Sequence, residues 1–143
     1  MKICLAIGSR ANWGRSRSFA LAAKADPQVK LYLVLLGSAL KDEFGTTIND
    51  VTSDGFKDFL RLPTATVYDE HHVQAIATAE ALFGLAKIFN EMRPDFVVTI
   101  ADRFETMSTA IAASYSNIKL VHIQGGEISG NIDDKVRNAI SML

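Results

Sequence analysis

Short, almost continuously apolar runs alternate with longer segments of helical periodicity along the whole chain. The clearest runs are residues 2–7, 29–36, 96–101 and 118–123. Strands that are apolar at nearly every position are typical of sheets covered on both faces. Parallel sheets have this construction, because their crossover helices pack on the faces of the sheet. The pattern therefore predicts a parallel sheet enclosed by helices.

The segments between the runs carry apolar residues at spacings of three and four. They predict helices at residues 16–25, 72–92, 103–115 and 133–143. Pro27 and Pro94 follow the first two, and Asp133 and Asp134 suit the positive end of the last helix dipole. The middle segment, 40–68, is less regular and predicts a short helix at 47–52 and a weak strand at 59–62.

The order of elements predicts an α/β doubly wound parallel sheet of the Rossmann type, with right-handed crossovers. The 143 residues suffice for one domain with its own core, so residues 1–143 are expected to form a single Rossmann-like domain. The last predicted helix reaches the end of the sequence without a capping glycine. We therefore expect this domain to be a truncated part of a larger protein.

Charge and hydropathy exclude several classes of function. The net charge of −1 gives no basic field for nucleic acid and no polybasic patch for a membrane. The longest apolar runs are far shorter than the roughly 20 residues that span a bilayer. Lys2 leads straight into an apolar run that Gly8 breaks too early for a secretory signal. We expect a cytoplasmic protein that binds neither nucleic acid nor membrane.

The single cysteine and the adjacent histidines offer little chemistry. Cys4 lies in the first predicted strand and is expected to be a small core residue. His71 and His72 are interpreted as a solvated helix start, because neighbours on a helix point in different directions. We predict no metal site.

Polar clusters follow three of the predicted strands, where doubly wound sheets bind ligands. The first, residues 8–15, combines two glycines with Arg10 and Arg15 and could hold a phosphate at a helix N-terminus. A strand-to-helix turn requires glycine in any case, so a purely structural role is equally compatible.

The second and third clusters contain carboxylates beside arginines. Asp102 precedes Arg103 at a strand end, and helix capping is the default interpretation of Asp102 alone. In the third cluster, residues 122–137, Gly125 and Gly126 let the backbone approach a ligand closely. Arg137 follows Asp133 by four residues, so the two share a helix face. Together the three clusters predict a ligand crevice at one rim of the sheet.

These residues resemble a known family. Residues 121–141 are similar to the signature stretch of the hydrolysing UDP-N-acetylglucosamine 2-epimerases of sialic-acid and legionaminic-acid biosynthesis. Residues 101–105, Ala-Asp-Arg-Phe-Glu, resemble the family's Gly-Asp-Arg-Phe-Glu motif. Residues 8–14 resemble its Gly-Ser/Thr-Arg-Ala-Asp-Tyr-Gly opening, and the likeness runs over the whole chain.

The resemblance implies an architecture and a reaction. It implies the N-terminal half of a GT-B protein, with two Rossmann-like domains across a cleft and UDP held mostly by the second domain. The implied reaction is anti elimination of UDP across C1 and C2 of the sugar, followed by addition of water to give N-acetylmannosamine. This chemistry requires a base at C2 and charge stabilisation at C1, but no cofactor. A homo-oligomer is also expected, since a missing second domain would expose apolar surface.

The resemblance also implies roles for individual residues. It makes Asp102 and Asp133 acids for acid/base work, Arg137 the residue that holds Asp133 or substrate, and Gln124 an occupant of a catalytic position. It places Arg10 at the nucleotide phosphates. The further substrate-binding candidates are Arg103, Gly125, Gly126 and Glu127.

Several positions depart from the family pattern. Gln124 stands where many relatives carry Glu or His, and glutamine cannot carry a proton at neutral pH. An acid/base function at that position would pass to Asp102 or Asp133, or the protein would be impaired or act on a different sugar. Ala101 replaces a glycine, Asn138 a histidine and Met142 a lysine.

Two other functions remain compatible with the sequence. One is a non-catalytic nucleotide-sugar-binding module, and the other is the N-terminal domain of a GT-B glycosyltransferase. The acid-rich stretch from Glu127 to Arg137 favours elimination chemistry over simple sugar transfer. The sequence leaves open whether the sugar is N-acetylglucosamine or a diacetamido relative.

Overall fold

The described residues form a five-stranded, entirely parallel sheet with the strand order β3-β2-β1-β4-β5. A computed structural model describes residues 1–64, 71–130 and 132–143, without the side chain of His71. The strands are β1 (Lys2–Ile7), β2 (Lys30–Leu36), β3 (Leu60–Leu62), β4 (Phe96–Ile100) and β5 (Lys119–Ile123). The sequence prediction of a doubly wound parallel sheet is confirmed.

In the part of the chain that the structure describes, five α-helices accompany the strands. They are α1 (Arg10–Ala25), α2 (Thr47–Ser53), α3 (His71–Met92), α4 (Phe104–Tyr115) and α5 (Ile132–Met142). Two short 3₁₀ turns, Gly37–Leu40 and Asp42–Phe44, lead from β2 towards α2. The short helix and weak strand predicted in the middle segment are both present, although residues 65–68 of that segment lie outside the described part of the chain.

Apolar side chains fill both faces of the sheet. On one face Trp13, Ala20 and Val51 from α1 and α2 pack against strand residues such as Leu5. On the other face Leu85 and Phe89 of α3 pack with Ala112 and Ala113 of α4 in one cluster, which also contains the strand residues Cys4 and Val97. Because neither face is left to solvent, the central strands are apolar throughout, as the sequence pattern indicated.

Cys4 is fully buried in β1, as expected for a core residue. Burial raises the pKa of its thiol to about 12, because the thiolate would lose its hydration. Within the described part of the chain, no helix has the length and hydropathy needed to cross a membrane.

The first helix begins six residues earlier than the sequence predicted. Ser9 is its N-cap, and the Ser9 side chain accepts a hydrogen bond from the backbone N–H of Asn12. The side chain of Asn12 in turn accepts from the N–H of Gly8. These reciprocal bonds favour helix formation directly after β1, so the first polar cluster lies on the opening turns of α1 rather than in a loop.

The strand order places a topological switch point at the centre of the sheet. The chain moves outward in one direction through β1, β2 and β3, then returns to the other side of β1 with β4 and β5. The loops after β1 and β4 therefore diverge, which opens a crevice at their carboxyl ends. This is the edge at which the three polar clusters were predicted.

Candidate functional site

The three clusters follow β1, β4 and β5, which are neighbours in the sheet. Since all strands are parallel, their carboxyl ends lie on the same rim. A crevice of about 430 Å³ opens there. It is lined by Ser9, Arg10, Ala11, Ser38, Phe44 and Arg103. Arginines from the first and second clusters thus face one space. The third cluster lies next to it, because Arg137 of that cluster pairs with Asp102, the neighbour of Arg103.

Arg10 lies on the opening turn of α1 and is held by a residue of α2. Its Nε donates to the Asp50 carboxylate at 3.0 Å, in an exposed ion pair. Its aliphatic part covers Gly45, where an added Cβ would come within 2.8 Å of Arg10 Cδ. An exposed pair of this kind contributes little stability, so the guanidinium can exchange Asp50 for a ligand anion at small cost.

Arg103 is held by a carboxylate that the sequence did not single out as part of the site. Arg103 Nε and Nη2 donate to the two oxygens of Glu105 at 3.0 and 3.3 Å. The Glu105 side chain is only 1% exposed, whereas one third of Arg103 reaches solvent. Burial raises the pKa of Glu105, and the bonds from Arg103 oppose that rise.

Two glycines make room for Glu105. A Cβ on Gly37 would lie 2.5 Å from Glu105 Oε1, and one on Gly8 would lie 3.2 Å from Glu105 Cβ. Glu105 therefore lies in a slot between the ends of β1 and β2, and from there it fixes Arg103 at the mouth of the crevice. The only signal in the sequence was the position of Glu105 within the motif at residues 101–105.

Asp102 forms an ion pair with Arg137 of α5. The default interpretation of Asp102 as a helix cap is wrong, because the N-cap of α4 is Arg103, and α4 begins at Phe104. The backbone explains the difference: Ala101 adopts a left-handed conformation (φ 64°), which ends β4 at Ile100. The Asp102 side chain is thereby available to α5.

Arg137 connects three parts of the rim. Besides Asp102, its guanidinium donates to the backbone carbonyl of Glu127 and to the carboxylate of Asp134 at 2.9 Å. The side chain of Arg137 is 5% exposed, and its Nε has no hydrogen-bond partner among the described residues. A buried arginine donor without a partner is costly, so this Nε is an unusual feature of the rim.

Asp134 closes the loop that precedes α5. It accepts hydrogen bonds from Ser129 N and Oγ and from Gly130 N, at 2.7 to 2.8 Å. These bonds lower the pKa of Asp134, those from Ser129 most. Within α5, Arg137 forms an ion pair with Asp134, three residues earlier in the chain. Asp133, which shares a helix face with Arg137 in the sequence analysis, lies half-buried on the first turn of α5. Asn131, which belongs to the same motif, is outside the described residues.

Gln124 lies directly after β5 in a left-handed conformation (φ 63°). Its Oε1 is buried and accepts no hydrogen bond among the described residues. Gly125 and Gly126 follow it and are exposed, as is the side chain of Glu127, whose contact with Arg137 is made by its backbone. Of the sequence candidates, Asp102, Arg137 and Glu127 are in direct contact, and Arg10 shares its crevice with Arg103.

A doubly wound parallel sheet with two arginines and an arginine-bound carboxylate at its switch point defines an α/β domain of the ligand-binding Rossmann class. The family model described as UDP-N-acetylglucosamine 2-epimerase matches residues 21–143. The chain therefore belongs to the UDP-N-acetylglucosamine 2-epimerase family, as the motifs had indicated.

Two curated relatives match almost the whole chain. The UDP-N,N'-diacetylbacillosamine 2-epimerase (hydrolyzing) of Legionella pneumophila is 34% identical over 142 residues, which is 99% of this chain and 38% of that protein. The GDP/UDP-N,N'-diacetylbacillosamine 2-epimerase (hydrolyzing) of Campylobacter jejuni is 31% identical, over 99% of this chain and 37% of that protein. The chain thus spans less than two fifths of the length of these relatives.

The fold is shared with solved structures at lower identity. The UDP-GlcNAc 2-epimerase from Neisseria meningitidis, bound to UDP-GlcNAc, superposes with a TM-score of 0.82 at 16% identity. The match covers 99% of this chain and 38% of that structure. At this identity the likeness establishes the fold alone.

Proposed function

We propose that this chain is the N-terminal Rossmann-like domain of a hydrolysing UDP-sugar 2-epimerase. The substrate is UDP-N-acetylglucosamine or a related UDP-diacetamido sugar, and the products are UDP and a sugar of the N-acetylmannosamine type. The observation that carries the proposal is the contact of Asp102 with Arg137 at the rim that also holds Arg10 and Arg103. Family membership and the names of the two relatives support it.

The acids of the rim match the first half of the reaction. Elimination removes the proton from C2 of the sugar, forms the C1–C2 double bond and breaks the bond from C1 to the UDP oxygen. Asp102 and Asp133 are our candidates for this proton transfer and for the later addition of water. Arg137 orients Asp102, and its unpartnered Nε is a donor for the sugar or for the departing phosphate.

The arginines of the crevice match the leaving group. A departing diphosphate accumulates negative charge, which preorganised arginines stabilise through bidentate hydrogen bonds. Arg103 is preorganised by Glu105, and Arg10 lies across the same crevice at the start of α1. The positive end of the α1 dipole adds to the field of both arginines.

Gln124 has the role of a binding residue in this proposal. Its amide cannot exchange protons at neutral pH, but its buried, unpartnered Oε1 can accept a hydrogen bond from a hydroxyl or an acetamido N–H of the sugar. The exposed Gly125 and Gly126 allow the substrate to approach the backbone beside it. Proton transfer then rests on Asp102 and Asp133.

Catalysis requires more than this domain. We propose a GT-B arrangement in which a second domain, outside residues 1–143, holds most of the UDP. The full substrate site then forms only between the two domains, in a cytoplasmic homo-oligomer. The relatives are long enough to contain such a domain, since this chain covers 38% and 37% of them.

Product analysis tests the proposal. A full-length protein containing this chain is incubated with UDP-N-acetylglucosamine and with UDP-diacetamido sugars, and the products are identified by NMR. We expect release of UDP together with the C2-epimeric free sugar, and no measurable release by the 143-residue chain. Transfer of the sugar to an acceptor would instead identify a glycosyltransferase, and binding without turnover a non-catalytic module.

A further inference from the structure

Ala101 is fixed in its left-handed conformation by two bonds to the end of β5. Its N–H donates to the carbonyl of Ile123 at 3.0 Å, and its own carbonyl lies 2.7 Å from Nε2 of His122. A left-handed conformation costs a non-glycine residue about 1–2 kcal/mol. Bonds at both backbone groups offset this cost, and they fix the direction in which the next residue, Asp102, leaves the strand.

The other ring nitrogen of His122 reaches α5. Nδ1 lies 3.0 Å from Oγ of Ser141, and the same hydroxyl lies 3.1 Å from the carbonyl of Arg137, one helical turn earlier. One imidazole therefore contacts both the turn that carries Asp102 and the helix turn that carries Arg137. Asp102 and Arg137 form their ion pair beside this contact.

Gly125 leaves space for the histidine contact. A Cβ at this position would lie 2.8 Å from Ser141 Oγ and 3.1 Å from His122 Nδ1. Any larger residue would force the imidazole and the hydroxyl apart. The packing of His122 against Ser141 therefore requires a glycine at position 125, independently of ligand access.

The carbonyl of Ala101 determines how the imidazole is protonated. A carbonyl oxygen can only accept, so Nε2 of His122 carries the hydrogen of the 2.7 Å contact. In a neutral ring Nδ1 carries no hydrogen and can only accept. The Ser141 hydroxyl has one hydrogen, for which Nδ1 and the carbonyl of Arg137 compete.

We propose that His122 is a positioning residue that holds the Ala101 turn against α5, so that Asp102 meets Arg137 in one geometry. The expected effect of His122 on turnover rests on the role of Asp102 and Arg137 in the proposed reaction. Its effect on the geometry of these two residues does not, because it depends only on contacts among described residues.

Two substitutions separate the halves of the contact. In His122→Gln the amide nitrogen extends to the position of Nε2 and can still donate to Ala101. In His122→Asn the shorter amide occupies the position of Nδ1, so the contact with Ser141 is retained and the bond to Ala101 is lost. Both variants remove the imidazole, so a general effect of its loss is the same in both.

The first readout uses the 143-residue chain and the guanidinium N–H signals of Arg137 in an NMR spectrum. We expect these signals to broaden in both variants, because His122→Asn loses the bond to Ala101 and His122→Gln loses the contact with Ser141. The guanidinium of Arg103, held by Glu105, is the internal control and remains unchanged in both. Unchanged Arg137 signals in a folded asparagine variant would overturn the proposal.

A second variant covers the case in which His122→Asn does not fold. Ser141→Ala removes one hydroxyl from an exposed helix position and leaves the imidazole in place. We expect it to broaden the Arg137 signals as well, because α5 loses its bond to His122. Sharp, unshifted signals in this variant would equally contradict the positioning role.

The second readout is kinetic and uses the full-length protein. Misplacement of a reacting group by about 1 Å lowers turnover about 100-fold, so we expect such a loss of kcat in His122→Asn with little change in KM. His122→Gln gives up the contact with Ser141 and is expected to lose kcat as well. Failure of wild-type turnover would count against the proposed function alone, whereas wild-type kcat in both variants, with turnover present, would count against positioning by His122.

Discussion

Asp102 and Arg137 are separated by 35 positions in the sequence and form an ion pair at the rim of the sheet. Asp102 follows β4, whereas Arg137 lies one and a half turns into α5. Their contact joins the two polar clusters that the sequence presents separately. Because Arg137 is nearly inaccessible to solvent, the pair is a fixed part of the fold as well as a candidate for chemistry.

Replacing Asp102 by asparagine is expected to abolish turnover and preserve the fold. The amide keeps the shape of the side chain but cannot accept a proton, and it weakens the bond to Arg137. Loss of one hydrogen bond to a charged group costs about 1.5–3 kcal/mol, and Arg137 keeps Asp134 and the Glu127 carbonyl. Turnover of the full-length protein and urea unfolding of the chain measure the two effects.

Asp95→Asn is the matched control for this experiment. Asp95 accepts from the Lys2 N–H at 2.7 Å, at the amino end of the sheet and therefore at the opposite end from the rim. We expect it to lose some stability and to retain turnover. Normal turnover of Asp102→Asn would remove Asp102 from the proposed mechanism.

Replacing Ala101 by glycine is expected to stabilise the domain. Ala101 has a φ of 64°, a conformation that glycine adopts without the penalty of about 1–2 kcal/mol. Glycine also increases the entropy of the unfolded chain, which offsets about 0.4–1 kcal/mol of this gain. The net increase in the free energy of unfolding therefore lies between about 0 and 1.6 kcal/mol. Urea denaturation measures it.

Ala112→Gly is the control for this prediction and is expected to lower the free energy of unfolding. Ala112 lies in the interior of α4 and is buried, so glycine there costs at least about 1 kcal/mol in helix propensity. If both variants destabilised the chain equally, the left-handed backbone at Ala101 would carry no strain. The two hydrogen bonds of Ala101 would then have no conformational cost to offset.

The sequence predicted the sheet well because burial on both faces leaves a direct mark on composition. β1 and the helix from 72 to 92 were predicted almost to the residue, since Gly8 and Pro94 punctuate their ends. The start of α1 was missed by six residues, because its opening turns are polar and depend on the Ser9 and Asn12 hydrogen bonds. Such reciprocal capping has no periodicity to detect.

The convergence of the three polar clusters at one rim was predicted, but the contacts among their residues were not. Parallel strands bring their carboxyl ends together, so three clusters after three strands had to share a rim. The partners of individual residues depend on backbone turns such as the left-handed Ala101, which redirects Asp102 away from capping α4. The support of Arg103 by Glu105 depends on the space left by Gly37, and no local pattern encodes that contact.

The buried Glu105 gives a pH dependence of stability with a definite sign. Its pKa in the folded chain is raised above the ordinary 4.5, mainly by burial. A carboxyl group with a raised folded pKa contributes stability that is fully present below 4.5 and is lost as the pH rises through its folded pKa. Glu105→Gln has no such titration.

The free energy of unfolding of the wild type, minus that of Glu105→Gln, is therefore expected to increase on acidification from pH 7 towards 4.5. Subtracting the variant removes the contributions of the other acids, which both proteins share. Urea denaturation at a series of pH values measures the difference. A difference that falls on acidification would show that the ion pair with Arg103 outweighs the cost of burial.

The isolated chain is expected to self-associate through the outer face of α3. Ile76 and Phe83 lie two helical turns apart on this helix, and Phe83 is 65% exposed. Exposed apolar residues that share a helix face favour association with another apolar surface. We expect the mean mass in light scattering to rise with concentration, and the double variant Ile76→Lys, Phe83→Lys to remain a monomer.

Ile128→Lys, at an exposed apolar position on the rim, is the matched control and should leave association unchanged. A wild-type chain that is monomeric at high concentration would contradict the expected homo-oligomer, and monomers formed only by the Ile128 variant would move the interface to the rim.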